Sequence, residues 1–577
     1  MKKQSFIMGA VILTIGGIIA KIIGAFYKIP LTNILGSNGM GIYYLVFPLY
    51  SIMLVLASNG FSLALSKCVA HERVNKNKRN ETTYFQMAVF LSFTVSFLCA
   101  LAILIFCRDF ATLQQNSNAI LGYIAIAPAL VCASLVGVIK GYFQGIENMI
   151  PSSIAMIFEQ IVKLVIGLIL SGAWLYRGVE YAVLGAICGV TISELITLFI
   201  MVFNYIWYKK KEDYKFFMRD SEGRIKTIDF NEKIIVRKIY KKYYPKRRKH
   251  FKQKLTIQYF YTNKDYVSKR VAVKKLIAFS LPTTLSSLIL PLVSLVDSFV
   301  VINILEKSGV SSMLATSLYG LSNGVVSSLI SLPVIFTVAF STAVMPNISA
   351  LVSQHNREEL SERSSFFIKI TWIISLLLFV GFIVFSSDII GILYGKGLSG
   401  RVLDEFAYSK RLLIVASSTI IYNCLLSTII ALLNGLGKPT IPTIALIVAM
   451  IVRFAISYTL ILVPQINIFA VYISNSIFMA LACLICTAKL RNYLDLSLAF
   501  GRSVVLPLII AGASAGVGYV VKGLLRDINT YVNVFISALI VIIVYLSGIL
   551  LLKVFTRQEK KYFPKLPLQK FLRPSKK

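Results

Sequence analysis

The sequence predicts an all-α integral membrane protein, with about 14 transmembrane helices arranged as two six-helix bundles in a parallel pseudo-twofold repeat, plus a C-terminal helix pair. The first supporting observation is composition. Of the 577 residues, 57% are hydrophobic and only 15% are charged, whereas a soluble domain is about 45–50% apolar and about 25% charged. The others are a series of apolar runs of about 20 residues, the length that crosses a bilayer as a helix, and an internal repeat. So few charges cannot cover a water-soluble surface, which excludes a soluble multidomain protein.

The apolar runs divide the chain into five predicted segments. Helices are predicted rather than strands, because the runs are continuously apolar and backbone groups in lipid must bond internally. The runs start near Ile7, Ile42, Phe85, Ala119, Ile154, Tyr181, Leu276, Met313, Phe366, Leu412, Ile441, Ile468, Val504 and Val532. The predicted segments are an N-terminal bundle (1–208), a basic cytoplasmic loop (209–275), a C-terminal bundle (276–490), a pair of helices (491–555) and a basic cytoplasmic tail (556–577).

The uneven distribution of Lys and Arg among the connections predicts the orientation. If the N-terminus is cytoplasmic, the connection at 67–80, the 209–275 loop and the tail are cytoplasmic too. The loop alone has about 23 Lys and Arg against about 7 Asp and Glu. Since cytoplasmic connections carry the excess of Lys and Arg, we expect a multi-pass cell-membrane protein with both termini in the cytoplasm. The first helix lacks a small-residue cleavage site and contains Lys21, so it is predicted to remain uncleaved.

The 209–275 loop is the one long polar connection. Its pattern predicts a hairpin over 214–230 that turns at Ser221–Gly223, and a helix over 232–244. Basic and aromatic residues interleave here, as they also do in some nucleic-acid-binding segments. A cationic segment beside the membrane is attracted to anionic phospholipids by about 1 kcal/mol per residue. Lipid contact is therefore favoured over a protein partner, and no nucleic-acid partner is expected.

Residues 141–164 and 431–454 match without gaps at an offset of 290, which aligns Gln144 with Asn434 and Lys163 with Arg453. Each matched turn follows the fourth helix of a six-helix block on the cytoplasmic side, so the repeat is predicted to be parallel. Chance similarity among apolar helices is the competing explanation, but a cation shared one turn inside an apolar helix favours duplication. Repeats of this kind place a substrate site between halves that rock against each other.

Charges within the apolar runs are the candidate site residues, because a charge at the helix centre costs about 2.5–3.5 kcal/mol on insertion scales. Lys21 and Lys28 lie seven residues apart in the first helix, hence on one face about two turns from each other. This helix contains no acid that could neutralise them. Exposure to a water-filled cavity that receives an anion, especially a phosphate, is one interpretation, and snorkelling of Lys28 to the headgroups is the other.

The remaining buried charges allow two interpretations each. Glu159 and Lys163 are i,i+4 neighbours and form either a self-neutralised pair or part of the cavity lining. Asp297 and Arg453 either pair between helices or leave Asp297 to bind a coupling Na⁺ or H⁺. Glu194 has no evident partner. The sequence contains no catalytic set, and its three histidines all lie in polar loops, so no metal centre is expected.

Residues 20–50, AKIIGAFYKIPLTNILGSNGMGIYYLVFPLY, and the QGIEN turn at 144–151 resemble the polysaccharide-biosynthesis and stage V sporulation protein B branch of the multidrug/oligosaccharidyl-lipid/polysaccharide (MOP) exporters. The resemblance covers essentially the whole chain. This branch is similar to the lipid II flippases, whose first helix carries basic residues that face a central cavity. The resemblance implies that Lys21 and Lys28 contact the substrate pyrophosphate, and that alternating access is driven by membrane potential or an ion. Relatives with an ion site have an acid in helix seven, which Asp297 matches, and further ligands in helix eleven, where Arg453 adds a cation instead.

We therefore expect a membrane flippase and not an enzyme. Its predicted substrate is a polyprenyl-pyrophosphate-linked saccharide, most simply a peptidoglycan precursor such as lipid II used in growth or spore cortex synthesis. The expected substrate-binding residues are Lys21, Lys28, Lys163 and Arg453, and those for ion coupling or structural pairing are Asp297, Glu159 and Glu194. No cofactor is expected beyond a coupling Na⁺ or H⁺ or the membrane potential, and the protein is expected to be a monomer.

Three alternatives remain at this point. A drug/cation antiporter of the same superfamily would need a carboxylate in the first helix, which the sequence lacks. A membrane glycosyltransferase or polymerase would need a larger external loop. A non-transporting scaffold would act through the basic loop.

Overall fold

The computed structural model describes residues 6–75, 77–213, 216–219, 225–228, 267–354, 356–395, 404–463, 465–495, 501–556 and 559. Helices make up nearly all of these residues, and thirteen helical segments among them are long and apolar enough to cross a membrane. The predicted all-α membrane fold is thereby confirmed. The helix predicted over 232–244, most of the 209–275 loop and most of the 556–577 tail lie outside the described residues.

The helices follow the chain in three groups. The first half contains α1 (Phe6–Leu54), a π-helical turn (Val55–Asn59), α2 (Gly60–Val74), α3 (Lys78–Leu113), α4 (Ala119–Gly145), α5 (Ile150–Trp174), a short 3₁₀ turn (Leu175–Arg177) and α6 (Val179–Asp213). The second half contains α7 (Lys269–Lys307), α8 (Ser312–Gly320), a π-helical turn (Leu321–Val326), α9 (Ser327–Ser353), α10 (Arg357–Val384), α11 (Ser386–Tyr394), α12 (Glu405–Gly435), α13 (Thr440–Ile461) and α14 (Phe469–Arg491). A π-helical turn (Gly501–Val505), α15 (Leu506–Leu524) and α16 (Thr530–Leu551) form the C-terminal pair.

Two short strands follow α6. Strands β1 (Phe216–Arg219) and β2 (Ile225–Ile228) pair antiparallel, with Phe216 opposite Ile228 and Arg219 opposite Ile225. This pairing agrees with the hairpin predicted over 214–230, whereas its turn, predicted at Ser221–Gly223, lies outside the described residues.

Helix α1 reverses direction at Gly36, whose φ of 67° is a left-handed conformation that glycine adopts without steric cost. Before Gly36 the chain runs parallel to α5, and after Gly36 it runs parallel to α4. A tight turn joins α4 to α5, and these two helices run in opposite directions. The direction of the chain therefore reverses at Gly36. The side-by-side pairs are Gly16–Ser153 and Gly24–Gln160 before the kink, and Val46–Gly122 and Ser62–Gly141 after it. The small residues allow these helices to approach closely, and α1 thus supplies two membrane-crossing lengths.

The turn between α4 and α5 recurs between α12 and α13. Glu147 and Gly437, which lie 290 residues apart, both have positive φ, at 59° and 73°. Three backbone hydrogen bonds close each turn: from Ile146 to Tyr142, Glu147 to Gln144 and Asn148 to Phe143 in the first, and from Leu436 to Leu432, Gly437 to Asn434 and Lys438 to Leu433 in the second. Every donor and acceptor has its counterpart at the same offset, which supports duplication of the two halves.

Hydrogen bonds between the halves cluster at the membrane side where the first crossing of α1 ends. Among the described residues, six of them run from Asn33 to the Leu393 carbonyl (3.0 Å), Gln114 to Ser298 (3.2 Å), Asn116 to Thr316 (3.1 Å), Asn303 to the Leu113 carbonyl (2.7 Å), Ser312 to the Gln115 carbonyl (3.2 Å) and Ser37 to Glu405. Gly41 and Gly320 also bring α1 and α8 together here. We call this set of contacts the distal seam, and it holds the halves closed on that side. Elsewhere, Tyr44 bonds to Ser328 (3.5 Å), and Val267 N, just before α7, donates to Asn80 Oδ1 (3.0 Å) at the opposite end of α3.

Candidate functional site

Lys21 lies on the side of α1 that faces away from an exposed apolar stripe. Val11, Ile15 and Ile19 recur every four residues, are all exposed, and form this stripe together with Phe26. At about 100° per residue, Lys21 is rotated by about 200° from Ile19. Its side chain is exposed and has no ion-pair or hydrogen-bond partner among the described residues. Lys21 is thus an exposed cation without a partner among the described residues, about 80° to 160° around the helix from the members of this stripe.

Lys28 and Lys163 lie over aromatic rings instead of carboxylates. The Lys28 ammonium is 5.4 Å from the centre of the Tyr44 ring, and that of Lys163 is 5.5 Å from Phe47 and 5.6 Å from Tyr27. Neither lysine has an acidic partner within ion-pair distance in the described part of the chain. A ring face stabilises a lysine by about 0.5–2 kcal/mol but leaves its N–H donors unused. Both cations can therefore accept an anionic ligand.

The packing of α1 against α5 brings these lysines together. The Cβ position of Gly24 lies 2.9 Å from the Gln160 side-chain oxygen, and that of Gly167 lies 2.6 Å from the Tyr27 hydroxyl. Lys163 lies midway between Gln160 and Gly167, which places it at the depth of Tyr27 and Lys28. Because glycine occupies both contact points, the helices approach closely enough for lysines on separate helices to share one group of rings.

The Asp297–Arg453 pair is an interhelical ion pair, one of the two arrangements that the sequence allowed. Arg453 Nη1 donates to Asp297 Oδ1 at 3.0 Å, and Nη2 donates to Oδ2 at 2.6 Å. Arg453 is only 2% exposed. This two-point geometry satisfies both charges, so neither residue is available as a free cation or a free carboxylate.

Glu159 pairs with Lys140 of α4 and not with Lys163, so the i,i+4 pair, one of the two interpretations that the sequence allowed, does not form. Lys140 Nζ lies 3.3 Å from Glu159 Oε2, and Gln160 Nε2 donates to Glu159 Oε1 at 3.0 Å. The physical reason is that α4 supplies a second cation, whose position relative to α5 is set by tertiary packing. Lys163 is consequently left without a counter-charge.

Glu159 and Glu194 both line a cavity of about 430 Å³ between the halves. Its polar and charged lining residues are Ser58, Asn59, Ser62, Lys140, Gln144, Glu159 and Glu194 of the first half and Ser287 of α7. Glu194 is only 8% exposed and has no hydrogen-bond or ion-pair partner among the described residues. Lys140 and Glu159 balance each other, which leaves Glu194 as the carboxyl group of this cavity that has no partner among the described residues.

Sequence reasoning missed Lys140, the rings of Tyr27, Tyr44 and Phe47, and the buried lysine Lys369. Lys140 lies five residues before the end of α4 at Gly145, a position typical of an interfacial lysine. The aromatic residues had no distinguishing signal in a chain that is 12% aromatic. Lys369 lies within SFFIKITW, and an isolated cation in an apolar run was the available signal for it.

Two family descriptions match this chain and together span most of it. "Polysaccharide biosynthesis protein" matches residues 6–228, and "Lipid II flippase MurJ" matches residues 251–557, which is more than half of the chain. Among curated proteins of Bacillus subtilis, the chain is 25% identical to stage V sporulation protein B, over 69% of this chain and 68% of that protein. It is 19% identical to the lipid II flippase MurJ, over 80% of this chain and 78% of that protein.

Solved structures share the fold. A lipid II flippase MurJ in an inward closed conformation aligns with a TM-score of 0.65 at 14% identity, covering 93% of this chain and 98% of that one. An inward-facing multidrug resistance MATE family transporter of the MOP superfamily aligns with a TM-score of 0.60 at 15% identity, covering 82% and 94%.

Proposed function

We propose, from the premise that the chain belongs to the lipid II flippase MurJ family, that it moves a polyprenyl-pyrophosphate-linked saccharide across the cytoplasmic membrane. As a member of this family it is a multi-pass membrane transporter of the MOP superfamily rather than an enzyme. The proposed substrate is a peptidoglycan precursor such as lipid II. The likeness to stage V sporulation protein B supports a role in growth or in spore cortex synthesis.

One observation carries the choice of substrate: three lysines of α1 and α5 have no acidic partner among the residues that the structure describes. Lys21, Lys28 and Lys163 belong to α1 and α5, and aromatic faces hold Lys28 and Lys163 in place. A unit charge 4 Å from a lysine gains about 4 kcal/mol at an effective dielectric of 20. This is comparable to the cost of about 2.5–3.5 kcal/mol for inserting one lysine, so a bound diphosphate offsets the penalty of keeping these cations inside the protein. Arg453 was also expected to bind substrate, but its charge is already satisfied by Asp297.

Transport is proposed to proceed by alternating access. The termini are assigned to the cytoplasm from the distribution of Lys and Arg, which makes the distal seam the outer gate. In this conformation the gate is closed. The pyrophosphate–sugar head would enter from the cytoplasmic leaflet while the lipid tail stays in the bilayer. Opening of the distal seam would then release the head outside.

Lipid flipping in reconstituted vesicles tests the proposal. We expect the wild type to move lipid II, and Lys28→Met and Lys163→Met each to slow it by about 10- to 100-fold, since a hydrogen bond to a charged group contributes about 1.5–3 kcal/mol. Lys163→Arg keeps the cation and should retain most of the activity. Lys410→Met, at an exposed lysine of α12, is the matched control and should flip at the wild-type rate.

Two results would overturn parts of the proposal. Unchanged rates in both lysine variants would remove the site assignment. No movement of lipid II or of a teichoic or capsular precursor by the wild type would remove the function. Movement of the teichoic or capsular precursor alone would support the flippase function but assign it a different saccharide.

A further inference from the structure

Two aromatic residues of α1, Tyr44 and Phe47, lie where the two halves begin to separate. Every residue from 39 to 50 is buried except these two, which are partly exposed. One turn before Tyr44 the halves are in close contact, because the Cβ position of Gly324 lies 3.0 Å from Met40 Cβ. At Tyr44 itself, the hydroxyl is 3.5 Å from Ser328 Oγ, the limit of a hydrogen bond. The contact between the halves therefore loosens along this face of α1.

The same helix face leads from the rings to the cavity of about 430 Å³. Leu54, seven residues after Phe47, and Ser58, four residues further on, both line that cavity. Residues at these spacings share one face of a helix. Tyr44 and Phe47 are thus at the end nearer to Gly36 of a surface that continues into the cavity.

The lysines that are proposed to hold the pyrophosphate are in contact with these two rings. The Lys28 ammonium is 5.4 Å from the centre of the Tyr44 ring, and the Lys163 ammonium is 5.5 Å from the centre of the Phe47 ring. In a polyprenyl-pyrophosphate-linked saccharide the first sugar is bonded directly to the pyrophosphate. A pyrophosphate held by both lysines therefore brings that sugar to the rings.

The ring of Phe47 is fixed in place from behind. It packs against the rings of Tyr43 and Tyr50, with centroids 4.4 and 6.1 Å away, and both tyrosines are buried. An aromatic face offers apolar contact area to the C–H groups of a sugar, and the Tyr44 hydroxyl can donate and accept a hydrogen bond. Small-molecule sites typically combine aromatic surfaces with a few such polar groups, which fix the orientation of the ligand.

We propose that Tyr44 and Phe47 bind the sugar next to the pyrophosphate, and that they make the protein specific for glycosylated over bare polyprenyl pyrophosphates. The assignment rests on the proposed function, since it concerns the same cargo. The C–H face of the sugar packs on Phe47, and one of its hydroxyl groups bonds to Tyr44 in place of the long contact with Ser328. A polyprenyl pyrophosphate without a sugar keeps the lysine contacts, loses those with the rings, and binds more weakly.

Binding of two lipids to the purified full-length protein tests this specificity: lipid II, and undecaprenyl pyrophosphate, which has no sugar. We expect the wild type to bind lipid II more tightly. Phe47→Leu should weaken lipid II binding by about 3- to 10-fold, as expected for one aromatic contact, and leave undecaprenyl pyrophosphate binding unchanged. Lys163→Met should weaken the binding of both lipids. Phe93→Leu, at an exposed phenylalanine of α3, is the matched control and should bind both lipids as the wild type does.

Three results would overturn the sugar site. Equal weakening of both lipids in Phe47→Leu would mean that the ring only positions Lys163. Unchanged binding of both lipids in this variant would mean that the ring does not contact the cargo, and equal affinity of the wild type for the two lipids would mean that the sugar adds nothing. If Phe47→Leu does not fold, Tyr44→Phe, which lacks a single oxygen atom, replaces it in the comparison, with an expected loss of about 2- to 10-fold for lipid II alone.

Binding and flipping together separate this site from the proposed function. A wild type that binds neither lipid would contradict both. A wild type that prefers lipid II through Phe47 but does not flip it would contradict the proposed function alone.

Discussion

At the scale of residues, the two halves treat equivalent cations differently. Lys163 and Arg453 occupy matching positions of the repeat, and each faces the first helix of its own half. Arg453 meets Asp297 of α7, whereas Lys163 meets the Tyr27 ring of α1. A carboxylate neutralises the cation permanently, but a ring stabilises it without cancelling its charge. The first half therefore keeps a positive charge for a ligand, while the second half uses its cation to hold two helices together.

The Asp297–Arg453 pair should be a large contributor to stability. Asp297→Asn leaves a fully buried guanidinium without a counter-charge, which costs about 3–5 kcal/mol. We expect a marked fall in the thermal unfolding midpoint, and recovery of most of it in the double variant Asp297→Asn/Arg453→Met, which removes both charges. If the fall in the unfolding midpoint of the double variant equals the sum of the falls in Asp297→Asn and Arg453→Met, the two residues do not interact.

This pair was within reach of sequence reasoning, because two opposite charges in apolar runs of one half had few other partners. The partner of Glu159, in contrast, could not be predicted from the sequence. Lys163 was the nearest cation in sequence, but Lys140 is the cation in contact. The contact depends on how α4 and α5 pack after their turn, and spacing along one helix contains no information about it.

At the scale of elements, the C-terminal helix pair is tied to α10. Trp372 Nε1 donates to the Val504 carbonyl at 3.2 Å, and the Tyr545 hydroxyl donates to the Ile373 carbonyl at 2.9 Å. Lys369, only 1% exposed, adds an ion pair to this attachment.

Lys369 holds the chain just beyond α16. Its ammonium donates to the Val554 carbonyl at 2.8 Å and to the Glu559 carboxylate at 2.9 and 3.0 Å. The sequence led us to treat residues after 556 as a basic tail, and a single acid there gave no sign of a buried partner. The ion pair joins residues 190 apart in the chain, so only the packed structure brings it together.

Breaking this ion pair should loosen the helix pair. Glu559→Gln removes the counter-charge of a buried lysine and should lower the unfolding midpoint. Lys369→Met combined with Glu559→Gln should be closer to wild type, because a buried ion pair replaced as a whole is often nearly neutral. Lys489→Met, at an exposed lysine of α14, is the control. A midpoint for Glu559→Gln equal to that of the control would mean that the ion pair contributes nothing to stability.

At the scale of the whole molecule, the distal seam joins the two halves at one end of the membrane-crossing helices, and contacts of α2 with α7, such as that of Gly60 with Thr284, join them elsewhere. Three of the six hydrogen bonds in the distal seam run from a side chain to a backbone carbonyl and three join two side chains, and such bonds can be exchanged for water at small net cost. The repeat and the composition predicted two halves that move against each other. They could not predict which side is closed, because that depends on contacts such as Asn116–Thr316 that join residues 200 apart.

A reversible cross-link across the distal seam tests this gating. Asn116 Nδ2 and Thr316 Oγ1 lie 3.1 Å apart, so Asn116→Cys and Thr316→Cys should form a disulfide on oxidation. The oxidised double variant should be held in the closed state, with lipid flipping at the level of empty vesicles, and a reductant should restore transport. The single variants, which retain the eight native free cysteines, control for oxidation elsewhere. Full transport by the cross-linked protein would mean that the seam does not open during the cycle, and that the halves do not separate at this side of the membrane.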